Sequence, residues 1–193
     1  MKSVPERLRA RRLRIEEGGE QGFTLIELLV VLLIIGILLA IAIPTFLSVT
    51  KSANNTAAQS NLQTALTGAK TYFESANQTY TFVNGGGTGA VSSITQIDTG
   101  LVYYSKTVPS TASNQISVNV VNTGSDIILA AYSTGTKECW AIEDNTAPGG
   151  TPVFGAATVG TTYAVWKTGQ SATTCTGSQT LPTSVSTTGF PSA

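Results

Sequence analysis

Histidine is absent from this 193-residue chain, and arginine is absent after residue 22. Without histidine there is no Ser-His or Cys-His pair for nucleophilic catalysis and no imidazole to bind a metal. Serine and lysine are present, but no spacing ties one to the other. The sequence therefore predicts no catalytic residue, no cofactor and no metal site, which makes a membrane-anchored enzyme a disfavoured class of protein.

Charge is scarce and unevenly distributed. Charged residues make up 11% of the chain, and the formal net charge is zero. Residues 1–22 carry six basic and four acidic side chains, whereas residues 23–193 carry five lysines and seven acidic side chains. Because a weakly acidic chain without arginine attracts nucleic acid poorly, no direct nucleic-acid binding is predicted.

The chain does contain one long apolar run. Every residue from Leu28 to Ile43 is apolar or glycine, and residues 23–27 extend the run toward the N-terminus. A helix of about 20 apolar residues spans the roughly 30 Å of a bilayer core. The arginines lie on the N-terminal side of this run, so the positive-inside rule predicts residues 1–22 in the cytoplasm and the rest of the chain outside.

One carboxylate, Glu27, lies inside this run, where burial in lipid costs on the order of a few kcal/mol if nothing pairs with it. Two interpretations remain open. Glu27 lies near the end of the run, where it could reach the lipid headgroups. Alternatively, cleavage before Phe23 would create an ammonium group one helical turn away, and Glu27 could pair with that group in its own chain or in an adjacent one.

Residues 22–29, with the sequence GFTLIELL, closely resemble the processing site of type IV prepilins and pseudopilins. The resemblance covers about the first quarter of the chain. It implies that a prepilin peptidase cuts between Gly22 and Phe23, and that Phe23 becomes N-methylated. It also implies that Glu27 pairs with the Phe23 ammonium of a neighbouring subunit, which sets the axial stagger of subunits during assembly.

The resemblance implies a structural subunit of a type IV pilus or pilus-like filament. The precursor would cross the cell membrane once before assembly, and its partners would be further copies of itself, the prepilin peptidase and the inner-membrane assembly machinery. A pseudopilin of a type II secretion or DNA-uptake system shares the same N-terminus and remains an alternative. A Sec-cleaved, secreted binding domain is a second alternative, because Ala40-Ile41-Ala42 loosely fits a signal-peptidase site.

The pattern becomes amphipathic after Pro44. Apolar residues recur at helical spacing and predict one buried stripe: Phe46, Val49, Ala53, Ala57, Leu62, Ala65, Ala69, Phe73 and Ala76. Polar residues are predicted on the opposite face: Lys51, Asn54, Asn55, Gln59, Gln63, Lys70 and Glu74. We expect one helix from about Phe23 to Ala76, with a membrane half at 23–46, an amphipathic half at 47–76, and a kink or local unwinding at Pro44.

The composition shifts to β-forming residues after Thr79. Residues 116–120, 126–133 and 137–143 read as three strands joined by two short turns, which predicts an antiparallel meander. Residues 161–167 read as a fourth strand, and residues 101–104 are a weaker candidate. The expected fold is α+β: a long N-terminal helical spine packed on the antiparallel β-sheet of residues 77–168, an architecture that the pilin resemblance also implies.

The only two cysteines are Cys139 and Cys175. In an exported chain a disulfide is the default, while two free buried thiols or a metal pair remain alternatives. The pair also resembles the bond with which many pilins staple their C-terminal region.

Two further stretches carry weaker predictions. The polar triplet Glu143-Asp144-Asn145 offers oxygens that could bind Ca²⁺, but three adjacent polar residues more often form a solvated turn. Residues 169–193 form a C-terminal tail rich in Ser, Thr, Gly and Pro, and this composition predicts that the part after Cys175 is mobile and could carry sugars.

Overall fold

The computed structural model describes residues 22–81, 100–147, 152–155, 159–167, 170–179 and 182–191. The predicted leader up to residue 21 and the glycine-rich segment at 84–89 lie outside these residues. The chain divides into two compact units, Met1–Thr45 and Phe46–Ala193.

One long helix, α1, spans Leu25–Ser75 and contributes residues to both units. The predicted helix therefore forms, with ends within two residues of the expected ones. Among the residues that the structure describes, α1 is the one helix long and apolar enough to cross a membrane. Pro44 lies inside it, and the hydroxyl of the adjacent Thr45 donates to the carbonyls of Ile41 and Ala42, at 3.1 and 2.9 Å. The kink at Pro44 stays a prediction.

Six strands form one sheet with the spatial order β1-β2-β3-β4-β5-β6. Their bounds are β1 Val102–Ser105, β2 Gln115–Val121, β3 Asp126–Ser133, β4 Glu138–Asn145, β5 Gly160–Trp166 and β6 Ser184–Ser186. The predicted meander is confirmed as β2, β3 and β4, and β5 adds the expected antiparallel strand.

The sheet differs from the prediction at both edges. The strand β1 pairs with β2 in parallel, so the sheet is mostly rather than wholly antiparallel. The strand β6 pairs with β5 inside the region that was predicted to be a mobile tail. Within the described residues 182–191, Phe190 also packs edge-on against Trp140 and Tyr163, and the mobility of the tail stays a prediction. A serine-rich composition concealed this short strand.

The sheet is covered on both faces, since β3 and β4 are buried along their whole length. On one face, α1 packs on alternate residues of the strands. This helix-side core includes Leu62, Leu66, Tyr80, Tyr103 and Trp140. Because side chains alternate along a strand, the intervening residues form a second cluster on the other face. We call it the back-face cluster, and it includes Ile128, Tyr132, Phe154, Trp166 and Cys139.

The buried stripe of α1 is only partly the predicted one. Leu62, Ala65 and Ala69 are fully buried as expected, but Phe46 is 71% exposed. Val49 and Ala53 are exposed as well. Apolar residues recur at helical spacing beyond the part of α1 that packs on the sheet. The spacing alone therefore could not show where the buried part of the helix begins.

Asn55 was predicted on the polar face and is instead buried. Its amide nitrogen donates to Glu138 at 2.9 Å, and its amide oxygen accepts from the Trp140 indole at 3.4 Å. Close by, the tip of the β3–β4 hairpin touches α1, because a Cβ on Gly135 would lie 2.8 Å from Cα of Lys51. This polar contact joins the hairpin to the helix.

Candidate functional site

The first turn of α1 is closed by a reciprocal pair of side chains. The backbone N–H and the hydroxyl of Thr24 both donate to Oε2 of Glu27, at 2.9 and 2.8 Å. In return, the backbone N–H of Glu27 donates to the hydroxyl oxygen of Thr24 at 3.3 Å. This arrangement is a capping box, in which Thr24 is the N-cap and Glu27 is the third helical residue. It satisfies backbone donors that the end of a helix otherwise leaves without partners.

The residues around this cap are open to their surroundings. Phe23 is 88% exposed, and a shallow groove is lined by Phe23, Ile26, Glu27, Val30 and Val31. A Cβ built on Gly22 would meet no atom within 4 Å. The bond between Gly22 and Phe23 is therefore sterically accessible, and Glu27 lies beside the residue that cleavage at this bond would make the new N-terminus.

Every described residue from 22 to 53 is exposed, including the whole apolar run. Such a continuous apolar surface is far larger than the patches that soluble monomers normally expose. It requires lipid or other protein chains as its surroundings.

The Thr24 cap is a feature that the sequence interpretation missed. Glu27 was singled out for its charge in an apolar run, while no role was assigned to Thr24. The spacing Thr-x-x-Glu ahead of an apolar helix is the signature of a capping box and would have identified it.

The disulfide between Cys139 and Cys175 is present, with a Cα–Cα distance of 5.4 Å, and excludes the free-thiol and metal-pair alternatives. Both cysteines are fully buried in the back-face cluster. The bond attaches residues 170–179 to β4, and Ser110 donates its backbone N–H to the Cys175 carbonyl at 2.8 Å. Closing a loop of 36 residues stabilises the fold by about 4 kcal/mol on the chain-entropy model.

The polar triplet Glu143-Asp144-Asn145 is not a solvated turn, so that prediction was wrong. All three residues are buried at the end of β4, and alternation points Glu143 and Asp144 to opposite faces. The Glu143 carboxylate accepts the backbone N–H groups of Val153 and Phe154 at 2.6 and 2.9 Å. Burial raises the pKa of Glu143, the two backbone hydrogen bonds oppose this rise, and the charge of Asp126 adds to it.

On the helix side, Asp144 joins four elements. Its carboxylate lies 2.9 Å from the Lys70 ammonium of α1 and accepts the hydroxyls of Tyr80 and Thr161, each at 2.8 Å. Burial and the neighbouring Asp144 charge raise the pKa of Tyr80 above its usual range. Within the described parts of the chain, no group of three or more Cys, Asp or Glu side chains is placed to hold a metal.

Comparison with known proteins finds similarity over part of the chain. The profile of the prokaryotic N-terminal methylation motif matches residues 19–43. The chain is 42% identical over 64 residues to the type IV major pilin protein PilA of Myxococcus xanthus, covering 33% of this chain. It is 62% identical over 34 residues to the type IV narrow pilus major component PilA5 of Thermus thermophilus, covering 18% of this chain.

These matches span 29% of each relative's length. No solved structure matches the chain significantly. The family model covers residues 19–43 only, and the matches to the two relatives cover 33% and 18% of this chain. The chain carries the N-terminal methylation motif of type IV pilins at residues 19–43, and its helix-on-sheet architecture is consistent with a pilin fold.

Proposed function

We propose that this protein is a structural subunit of a type IV pilus or pilus-like surface filament and has no enzymatic activity. The observation that carries the proposal is the apolar, exposed first half of α1, which begins at a polar cap and is not covered by the described residues of its own chain. In the membrane, lipid covers this surface. In a filament, the same surface of neighbouring subunits replaces the lipid.

Processing at Gly22 is the first step of the proposed sequence. A peptidase must approach the backbone closely, and a glycine without neighbours permits that approach. Cleavage converts the amide nitrogen of Phe23 into an ammonium group, which is then N-methylated. Residues 1–22 are the cytoplasmic leader that is removed, and the prepilin peptidase is the partner at this step.

Glu27 provides the contact between subunits in the second step. The new Phe23 ammonium would lie in an apolar environment, where an unpaired charge is costly. The Glu27 carboxylate of an adjacent subunit neutralises it at one axial offset only. This pairing sets the stagger of subunits as the inner-membrane assembly machinery extracts each one from the membrane.

Two alternatives make different predictions. A pseudopilin of a secretion or DNA-uptake system would show the same processing but no long surface filament, and the names of both relatives favour a pilus. Sec cleavage after Ala42 would release a chain that begins at Ile43. The methylation motif, which matches across that position up to residue 43, argues against this alternative.

The test is the amount of subunit in sheared filaments and in membranes for two variants of Glu27. Glu27→Ala removes both the cap and the charge, whereas Glu27→Gln keeps a cap acceptor and removes only the charge. If charge pairing drives assembly, both variants are cleaved normally and both lose filaments. Glu74→Gln, an exposed site on the same helix, is the matched control and keeps them. Normal filaments from Glu27→Gln would contradict the pairing of charges between subunits.

A further inference from the structure

The two ends of the central strands β3 and β4 carry opposite charge. Three of the five lysines of residues 23–193 lie at the end where the β3–β4 hairpin turns. Lys137 is in the turn, Lys51 of α1 contacts the turn, and Lys167 follows β5 level with Glu138. We call these three residues the lysine end. Apart from Glu138, the acidic side chains of the described strands lie at the opposite end, about 23 Å away along eight residues of strand. They are Asp126, Glu143 and Asp144.

The hairpin turn holds two of these lysines close together. A Cβ built on Gly135 would lie 2.8 Å from Cα of Lys51, so the turn touches the backbone of α1. Lys137 lies two residues further on, and its backbone N–H closes the turn on the Ser133 carbonyl at 3.0 Å. Because consecutive Cα atoms are about 3.8 Å apart, the Cα atoms of Lys51 and Lys137 lie within about 12 Å of each other. One extended anionic surface can therefore contact both.

The positive charge at this end is open to the surroundings. Lys51 and Lys137 are both exposed, and within the parts of the chain that the structure describes neither forms an ion pair with a carboxylate. Glu138 lies beside them, but it is only 8% exposed. Its carboxylate accepts the Asn55 amide at 2.9 Å and the Thr136 hydroxyl at 2.6 Å, which hold it inside the fold. The lysines are thus available to a partner outside the subunit.

An exposed apolar segment adjoins the lysine end. Phe46, Leu47 and Val49, which precede Lys51 on α1, are 56–71% exposed. No charged residue occurs between Glu27 and Lys51, so Lys51 is the first charge after the apolar run. A lysine at the end of such a run lays its methylene stem on apolar surface and keeps its ammonium group among the lipid headgroups. A membrane that receives Phe46 thus meets the lysine end with its headgroup layer.

We propose that the lysine end binds the phosphate groups of anionic phospholipids while the subunit is held in the membrane. The proposal rests on the membrane step of the function proposed above. A lipid fits better than an acidic protein or a dissolved phosphate ion, because acyl chains also cover the adjoining apolar segment. Near an anionic leaflet each lysine strengthens the contact roughly fivefold. The contact holds the folded unit on the membrane surface and is released when the subunit leaves the membrane.

The experiment uses the full-length chain in vesicles of phosphatidylcholine with a minority of phosphatidylglycerol that carries a photoreactive headgroup. Mass spectrometry of the cross-linked peptides locates the lipid. We expect cross-links at residues 51 and 133–137, and cross-links from the basic leader map separately to residues 1–22. Lys51→Gln and Lys137→Gln should each lower the yield at the lysine end roughly fivefold. Salt at about 1 M should lower it as well.

Two variants are matched controls. Lys106→Gln removes an exposed lysine that follows β1, outside the lysine end, and should leave the cross-links unchanged. Lys51→Arg keeps the positive charge and should retain them. Inorganic phosphate should compete no better than chloride at the same ionic strength, because it lacks the acyl chains of a lipid.

Four outcomes would overturn the proposal. An unchanged yield from the double variant of Lys51 and Lys137 would show that these charges do not bind lipid. Specific competition by inorganic phosphate would indicate a site for the free ion. Cross-links from the lysine end to a second copy of the chain, in place of lipid, would assign this surface to contacts between subunits. Release of the unmodified chain from the vesicles by alkaline carbonate would overturn the membrane step of the proposed function as well, and extraction distinguishes this result from the other three.

Discussion

The two ends of α1 share one helical backbone and differ in what covers their side chains. From Leu25 to Val49 every side chain is exposed, although most of them are large and apolar. From Asn55 to Ala69, seven residues are buried against the sheet, and most of these are small or medium in size. The more hydrophobic half is therefore the one that its own chain leaves bare.

The difference in exposure between the two halves of α1 shows that the most hydrophobic residues of a chain need not form the core of the subunit. The second half stabilises the monomer, because its leucines and alanines are removed from water by the sheet. The first half contributes nothing comparable to the fold of the monomer, and its apolar surface becomes useful only among lipids or other subunits. The same substitution should thus have different consequences in the two halves.

The largest expected difference is for a leucine truncated in each half. Leu62→Ala removes a fully buried side chain from the helix-side core, and the free energy of unfolding should fall by about 2–5 kcal/mol. Leu32→Ala changes a side chain that is 59% exposed and should leave unfolding of the sheet unchanged. Denaturant unfolding in detergent micelles, followed by tryptophan fluorescence, measures both. Equal losses of unfolding free energy in Leu62→Ala and Leu32→Ala would contradict the difference between the two halves of α1.

A smaller effect is expected for a methyl group added to a glycine in each region. Gly135→Ala would bring Cβ within 3 Å of the Lys51 backbone, so we expect a loss of about 1–3 kcal/mol from overpacking. Gly36→Ala meets no atom within 4 Å in the monomer, and alanine favours a helix. Thermal unfolding should show a lower melting temperature for Gly135→Ala than for Gly36→Ala. If Gly36→Ala loses filaments while the monomer unfolds normally, neighbouring subunits pack closely at Gly36.

The smallest expected effect is a change in how the stability of the sheet depends on pH, and it comes from Glu143. The pKa of Glu143 is raised in the folded state, mainly by burial, so the folded protein binds this proton more tightly than the unfolded chain. Its contribution to stability is therefore fully present below the ordinary pKa of 4.5 and is lost as the pH rises through the raised value. Glu143→Gln should flatten this slope in melting curves recorded from pH 4 to 8. An unchanged slope would assign the pH dependence to other groups.

Much of the architecture could be predicted from local pattern. The strand β3 was predicted at its observed residues because short turns flank an apolar run on both sides. The helix was located because its apolar spacing continues for many turns. The disulfide was expected because the exported chain has only two cysteines.

The parts that sequence did not predict depend on contacts between distant residues. Asn55 is buried only because Glu138 and Trp140 lie opposite it in the fold. The strand β6 has few apolar residues and is defined by its register on β5. The acidic residues at 143 and 144 are buried because backbone N–H groups and the Lys70 ammonium receive them. Polar residues that look solvated in sequence were thus placed inside by partners far along the chain.

The central claim is that the bare half of α1 begins a mature, assembled subunit at Phe23. The most direct measurement is mass spectrometry of surface filaments that have been sheared from the cell and purified. We expect this chain to be present and its N-terminal peptide to begin with methylated Phe23. A mature N-terminus at Ile43, or filaments that do not contain this chain, would contradict it.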